Sequence, residues 1–193
     1  MKVCILVGSM KKNGNTAELI KPLKEHFDAI GTDCEYVWLS DYKLEPCKSC
    51  FVCQNVENVP GCSIKDEMDH IFEVMLNSDC IIFASPIYTW FCTVPMKLVL
   101  DRMFSMNKFY GSTKNNYSLM NGKKYAIVST CGNEIETGAD LFEKAIIRLA
   151  EHSGIDYIRM YAVQDKNGVS DFKTDEVVNL TQVFAKDIFE AFN

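Results

Sequence analysis

The segment Gly8-Ser-Met-Lys-Lys-Asn-Gly-Asn-Thr16 gathers groups that hold an anion. Ser9 and Thr16 bring hydroxyls, Asn15 an amide, and Lys11 and Lys12 positive charge. Gly8 and Gly14 let backbone N–H groups come close to a ligand. A helical pattern begins at Asn15, with Glu18 three residues on as in a capping box. A helix N-terminus carries about half a positive charge and unpaired donors, so a phosphate is favoured there. The segment is not a nucleoside-triphosphate loop. That motif, G-x-x-x-x-G-K-[ST], needs lysine where Asn15 stands, and the spacing from Gly8 is one residue too long. G-x-G-x-x-G is absent too. A compact phosphomonoester fits the donor set; a plain, well-capped turn between strand and helix is the bland alternative.

A second group is thiol-rich. Cys47, Cys50 and Cys53 form C-x2-C-x2-C, and Cys62 follows eight residues later, beside Gly61. Four thiolates so spaced can bind an iron–sulfur cluster or close a tetrahedral zinc site. They can also stay reduced in a loop that shapes a neighbouring pocket. All three readings remain open at this level. Cys4, Cys80 and Cys92 sit in or beside apolar runs, as buried reduced thiols do. The cysteine count is odd, and Val3–Val7 is too short for a signal peptide. A cytoplasmic protein is therefore expected. His26 and His152 are expected on solvated helix faces, and His70 has no evident partner. No Ser-His-Asp set and no paired carboxylates suggest acid–base hydrolysis.

Strand-like runs alternate with helical patterns and must position these groups. Val3–Val7, Cys34–Leu39, Cys80–Ser85, Tyr125–Thr130 and Ile155–Val163 read as strands. Asn15–Ile30, Asp66–Asn77, Thr93–Met106, Thr137–His152 and Thr174–Phe192 read as helices. Pro22 falls past the first turn of its helix, so a bend is expected. Five strands alternating with five helices predict an α/β three-layer sandwich on a five-stranded parallel sheet. One domain is expected over residues 1–193, with a cysteine-containing insertion at about 40–65 and an exposed polar loop at 109–122. Apolar residues make up 48% and charged residues 24%, which argues against disorder. Net charge is −6, so there is no electrostatic footprint for nucleic acid or an anionic membrane. No apolar run approaches the length that spans a bilayer.

Two further strand ends matter. The third strand runs into Ser85-Pro-Ile-Tyr-Thr-Trp-Phe-Cys-Thr-Val-Pro-Met-Lys-Leu-Val-Leu-Asp-Arg102, and the fourth into Ser129-Thr-Cys-Gly-Asn-Glu134. With the first loop, these segments resemble the NADPH-dependent FMN reductase family of flavodoxin-like proteins. The resemblance covers Met1 to about Val163. It implies strand order 2-1-3-4-5 with FMN across the carboxyl edge of the sheet. It implies Ser9, Lys11, Asn15 and Thr16 at the phosphate, and Pro86, Ile87, Tyr88, Thr89 and Trp90 along the isoalloxazine. Thr130, Cys131 and Gly132 would meet the other edge of the ring. Loop backbone after Pro86 and around Gly132 would supply donors where a reduced flavin builds negative charge. Lys97, Asp101 and Arg102 have spacings that suit side-chain pairing, and a structural role is expected for Asp101 and Arg102, at a subunit contact.

The implied activity is NAD(P)H-dependent reduction of a small-molecule acceptor: a quinone, flavin, nitro or azo compound, or a metal ion. No side chain need act as acid or base. The family is usually oligomeric, so a homodimer or homotetramer is expected. The cysteine spacing also resembles iron–sulfur flavoproteins, which would pass single electrons from ferredoxin. A flavodoxin-type electron carrier is the non-enzymatic alternative; the inserted segment Ser40–Lys65 argues against it, since it is expected to cover the site.

Overall fold

A computed structural model of the chain describes residues 1–111 and 116–192. Its strands, in chain order, are β1 (Lys2–Val7), β2 (Asp33–Trp38), β3 (Cys80–Pro86), β4 (Asn107–Lys108), β5 (Tyr117–Ser118), β6 (Lys124–Cys131) and β7 (Asp156–Gln164). Its helices are α1 (Asn15–Ala29), α2 (Met68–Leu76), α3 (Val94–Arg102), α4 (Ile135–Gly138), α5 (Asp140–Ser153) and α6 (Asp175–Glu190). The main sheet is parallel throughout, in the order β2-β1-β3-β6-β7. Counting only its own members, that is the expected 2-1-3-4-5.

The continuous apolar run of β1 divides by alternation. Val3, Ile5 and Val7 face a core shared with α1 and α6. Cys4 and Leu6 face a second core shared with α2, α3 and α5. Successive strand side chains point to opposite faces, so a strand covered on both sides needs apolar residues at every position. Three layers follow.

Three local expectations are revised. Gly14, not Asn15, stands at the start of α1, and no side chain caps that helix. The helix runs from Asn15 to Ala29 with Pro22 inside it. The expected helix 93–106 turns 3-10 after Arg102. Of the loop expected at 109–122, residues 112–115 lie outside the described set. Its flank is not freely exposed: β4 pairs antiparallel with β5, and Met120 is buried. His26 and His70 differ as well, whereas His152 is exposed as expected. His26 is half-buried, with its Nε2 enclosed and unpartnered among the described residues. His70 stacks on Tyr42, and His152 packs against Phe109 and Tyr110.

The 40–65 segment has only short 3-10 turns, at Leu39–Asp41 and Val52–Asn55. Buried polar side chains hold it. Gln54 donates from Nε2 to the Phe104 carbonyl at 3.0 Å, and its Oε1 accepts from the Phe109 and Tyr110 N–H groups. Lys108, fully buried, donates to the carbonyls of Cys53 at 2.8 Å and Pro60 at 3.0 Å. Gly111 lies so close that a Cβ there would fall 1.7 Å from the Gln54 carbonyl oxygen. Gly111→Ala must push two backbone segments apart. Overpacking of this kind costs about 1–3 kcal/mol, or roughly 2–12 °C in Tm for a chain of this size. A melting curve shifted by less than about 1 °C, below the smallest shift this cost allows, would contradict the close approach.

Candidate functional site

The cleft forms where three strand ends meet a helix start. Gly8 ends β1 still inside the sheet, its N–H donating to the Ala84 carbonyl at 2.8 Å. A Cβ on Gly8 would sit 2.7 Å from Thr93 Oγ1. Its glycine character thus serves packing against the start of α3, and it frees no donor for a ligand. The chain then turns. Ser9 Oγ accepts from the Lys11 N–H and donates to the Lys11 carbonyl, both at 3.2 Å. Lys12 pairs with Asp41 at 2.6 Å, away from the loop. Lys11 has no ion-pair partner among the described residues, so it is the loop's available cation.

The helix α1 then begins with no side chain on its N-terminal donors. Asn15 Nδ2 donates to Asp165 Oδ2 at 2.5 Å, and Asp165 Oδ1 accepts from the Gly168 N–H at 2.8 Å. Thr16 Oγ1 lies 3.1 Å from Thr130 Oγ1, tying the helix start to the end of β6. The result is an open cleft of about 480 Å³ at the carboxyl edge of the sheet. Ser9, Lys11, Asn15 and Thr16 line one side. Pro86, Ile87 and Tyr88 line a second, and Thr130, Cys131 and Gly132 a third.

Thr89 and Trp90 do not line it. Tyr88 and Phe91 exchange N–H···O bonds at 2.9 and 3.1 Å, and both residues between them have positive φ, 52° and 61°. Positive φ at both central residues is what a two-residue hairpin turn requires, and it is strained for non-glycine residues. This tight turn leaves the Trp90 ring half exposed, outside the cleft, while Tyr88 stays at its mouth. Asn13, Gly14, Asp165 and Val169 line the cleft without having been expected there. The available signal for Asp165 was its position just past the fifth strand, on the same sheet edge.

The donors expected after Pro86 are spent. The Ile87 N–H bonds to the Thr130 carbonyl, and the Tyr88 N–H to Phe91. The Gly132 N–H carries no such bond among the described residues, and a Cβ there would meet nothing within 4 Å. Burial, with Glu134 and Glu136 nearby, pushes the Cys131 thiol up, and it donates to the Asn133 carbonyl. It stands at the cleft as a protonated thiol.

No residue of 40–65 lines the cleft, so the expected covering of the site is not met within the chain. The reason is its anchoring to the region after α3. Arg102, expected at a subunit contact, turns inward. Its guanidinium takes both oxygens of Asp66 at 2.8 and 3.1 Å and the Glu45 carbonyl at 3.1 Å. Lys97 and Asp101 pair along the surface of α3. Cys47 and Cys50 are exposed, Cys53 buried and Cys62 half-buried. A bond with the Ser63 hydroxyl lowers the Cys50 thiol, whereas burial raises Cys53. Among the described residues, no three His, Cys, Asp or Glu side chains are gathered as metal ligands.

A parallel 2-1-3-4-5 sheet with an open cleft after its first strand defines the flavodoxin-like class. The chain belongs to the NADPH-dependent FMN reductase family, whose model matches residues 1–159. An iron–sulfur flavoprotein of Methanocaldococcus jannaschii is 32% identical over 102 residues, 53% of this chain and 51% of that one. One from Methanosarcina thermophila is 30% identical over 115 residues, 60% of this chain and 59% of that one. The chain thus spans only about half the length of these relatives. The structure of an NAD(P)H:quinone oxidoreductase from Methanothermobacter marburgensis superposes with a TM-score of 0.68 at 14% identity, covering 96% of this chain and 95% of that one. That likeness is one of fold.

Proposed function

We propose that the chain binds FMN in this cleft and uses NAD(P)H to reduce a small-molecule acceptor. A quinone, free flavin, nitro or azo compound, or a metal ion fits the role. The observation that carries the proposal is the uncapped start of α1 facing a cleft with one unpaired lysine. Ser9, Lys12, Asn15 and Thr16 each have an internal partner, so an incoming phosphate meets free helix donors and Lys11 together. The volume suits a cofactor-sized ligand.

When bound, FMN supplies the hydride-accepting and electron-releasing chemistry. The chain's own residues position and tune. Lys11 and the helix N-terminus hold the phosphate. Asn15, fixed by Asp165, and Thr16, fixed by Thr130, hold their polar groups in place beside it. Gly132 offers a free backbone donor at the far edge. Tyr88 presents an exposed ring at the mouth, where a flat substrate can stack. Cys131 stays protonated and takes no proton from the reaction.

We place the protein in the cytoplasm as a homodimer or homotetramer. All nine cysteines are free. Tyr88, Trp90 and Val94 expose apolar surface around the cleft mouth, a surface that a second subunit would cover. The four clustered cysteines are read as thiols. Lys108 bridges the carbonyls of Cys53 and Pro60, so hydrogen bonds close this loop.

The experiment is direct. Freshly purified protein should show the two absorption bands of a flavin and no shoulder beyond them, with iron below one tenth of an equivalent. It should consume NAD(P)H steadily with a quinone acceptor. An electron carrier would show almost no such turnover. Stoichiometric iron would overturn the thiol assignment.

A further inference from the structure

The flavin cleft holds an acid that phosphate binding does not explain. Asp165 lines the cleft just past the end of β7 and is half-buried. Among the described residues lining the cleft, Asp165 is the only carboxylate and Lys11 the only cation. A carboxylate close to a bound phosphate is unfavourable by charge repulsion, so donors from the ligand must offset it. The carboxylate is held in place: Oδ2 accepts from Asn15 Nδ2 at 2.5 Å and Oδ1 from the Gly168 N–H at 2.8 Å. An ionised carboxylate has about four acceptor sites, so capacity remains on both oxygens.

Its bonds tie Asp165 to both ends of the site. The Asp165 N–H donates to the Cys131 carbonyl at 2.8 Å, on the strand end that meets the ring in the proposed placement. Its side chain reaches Asn15, at the helix start that meets the phosphate. Asp165 thus stands between the two ends of the ligand, along the stretch that the ribityl chain has to cross. A fully ionised phosphate brings acceptors only. The donors on that part of the ligand are the ribityl hydroxyls.

We infer that Asp165 is the residue that reads the ribityl chain, its carboxylate accepting a hydrogen bond from a ribityl hydroxyl of FMN. The inference rests on the placement of FMN in this cleft. It makes Asp165 a specificity-determining residue, which selects flavins with a hydroxylated chain over flavins with a plain alkyl chain. A charged acceptor strengthens the bond, and the grip of Asn15 and Gly168 lowers the cost of ordering it. The probes are FMN and its phosphopentyl analogue, the same ring and phosphate joined by a chain without hydroxyls. Fluorescence titration of the flavin-free protein should show FMN binding about tenfold or more tighter, the loss expected for one hydrogen bond to a charged group. Asp165→Ala should shrink that ratio about tenfold. Releasing Asn15 also disturbs the phosphate, but equally for both compounds, so the ratio isolates the hydroxyl contact. Asp165→Asn keeps the shape and an acceptor oxygen without the charge, and should give an intermediate ratio. Equal affinity of the two compounds for the parent protein overturns the inference, and needs no variant to fold. A ratio that neither variant changes overturns it too, leaving Asp165 to hold Asn15 and its own loop alone. If neither compound binds the parent protein, the placement of FMN itself fails, and this inference with it.

Discussion

Asn15→Ala combined with Thr16→Ala should weaken FMN binding by more than a hundredfold. The pair stands at the start of α1, beside the free helix donors. On the proposed placement each change removes a side-chain donor beside the phosphate, and a hydrogen bond to a charged group contributes about 1.5–3 kcal/mol. Together they exceed about 3 kcal/mol, and each 1.4 kcal/mol is tenfold in Kd. Riboflavin, which lacks the phosphate, should lose far less. Fluorescence titration of both flavins with parent and variant protein checks this. If the variant holds FMN as tightly as the parent, the phosphate lies elsewhere. If both flavins weaken equally, the pair supports the ring or the fold and not the phosphate. Circular dichroism is needed alongside, because the Thr16 hydroxyl also meets Thr130 inside the protein.

Asp66→Leu should be the most damaging single substitution to stability. Arg102 is 1% exposed, and Asp66 supplies the carboxylate that its guanidinium meets. Removing one partner of a buried pair leaves the other charge uncompensated, at about 3–5 kcal/mol. Domains are stable by only about 5–15 kcal/mol in total. The Tm should fall by roughly 6–20 °C. Adding Arg102→Met should restore part of the loss, because the stranded charge is gone; the Glu45 and Ile64 carbonyls that Arg102 also serves stay unpaired. The pH dependence has a defined sign. Burial by itself would raise the Asp66 carboxyl. The Arg102 hydrogen bonds and the N–H groups of Glu45 and Met68 outweigh it and hold the group below its ordinary value. A depressed carboxyl contributes stability above its unfolded pKa, near 4, and loses it as pH falls through the lower folded value. The gap between parent and Asp66→Leu should therefore be widest near neutrality and shrink below about pH 4. A gap that grows in acid would reverse the assignment.

The Arg102–Asp66 pair also shows where one-dimensional patterns stop. Arg102 sits at the end of a helical run, beside Asp101, and its spacing suggests a surface pair along the helix. Lys97 and Asp101 do form one. Arg102 falls on the inner side and finds a carboxylate 36 positions away. No local pattern encodes that contact. The cysteine segment makes the same point. Its spacing left a cluster, a zinc site and reduced thiols open, and its conformation depends on Gln54, Arg102 and Lys108 reaching across about fifty residues of chain. Thr89 and Trp90 stood beside Tyr88 in the sequence. Two positive φ angles turn them away from the cleft.

By itself, the sequence determined the five strands, the sheet order through its family resemblance, and the polar loop at the first crossover. Those features are local or periodic. Alternation of apolar residues, a helix start and a glycine turn can each be read within one stretch of chain. Only the tertiary structure decided which donors stay free. Gly8 is spent on Ala84, Lys12 on Asp41 and Ile87 on Thr130, while Lys11, Gly132 and the start of α1 remain open. It also brought Asp165 to Asn15 across 150 positions. Such pairings depend on chain closure over long distances, where the geometry of the whole sheet and not the neighbouring residue sets the partner.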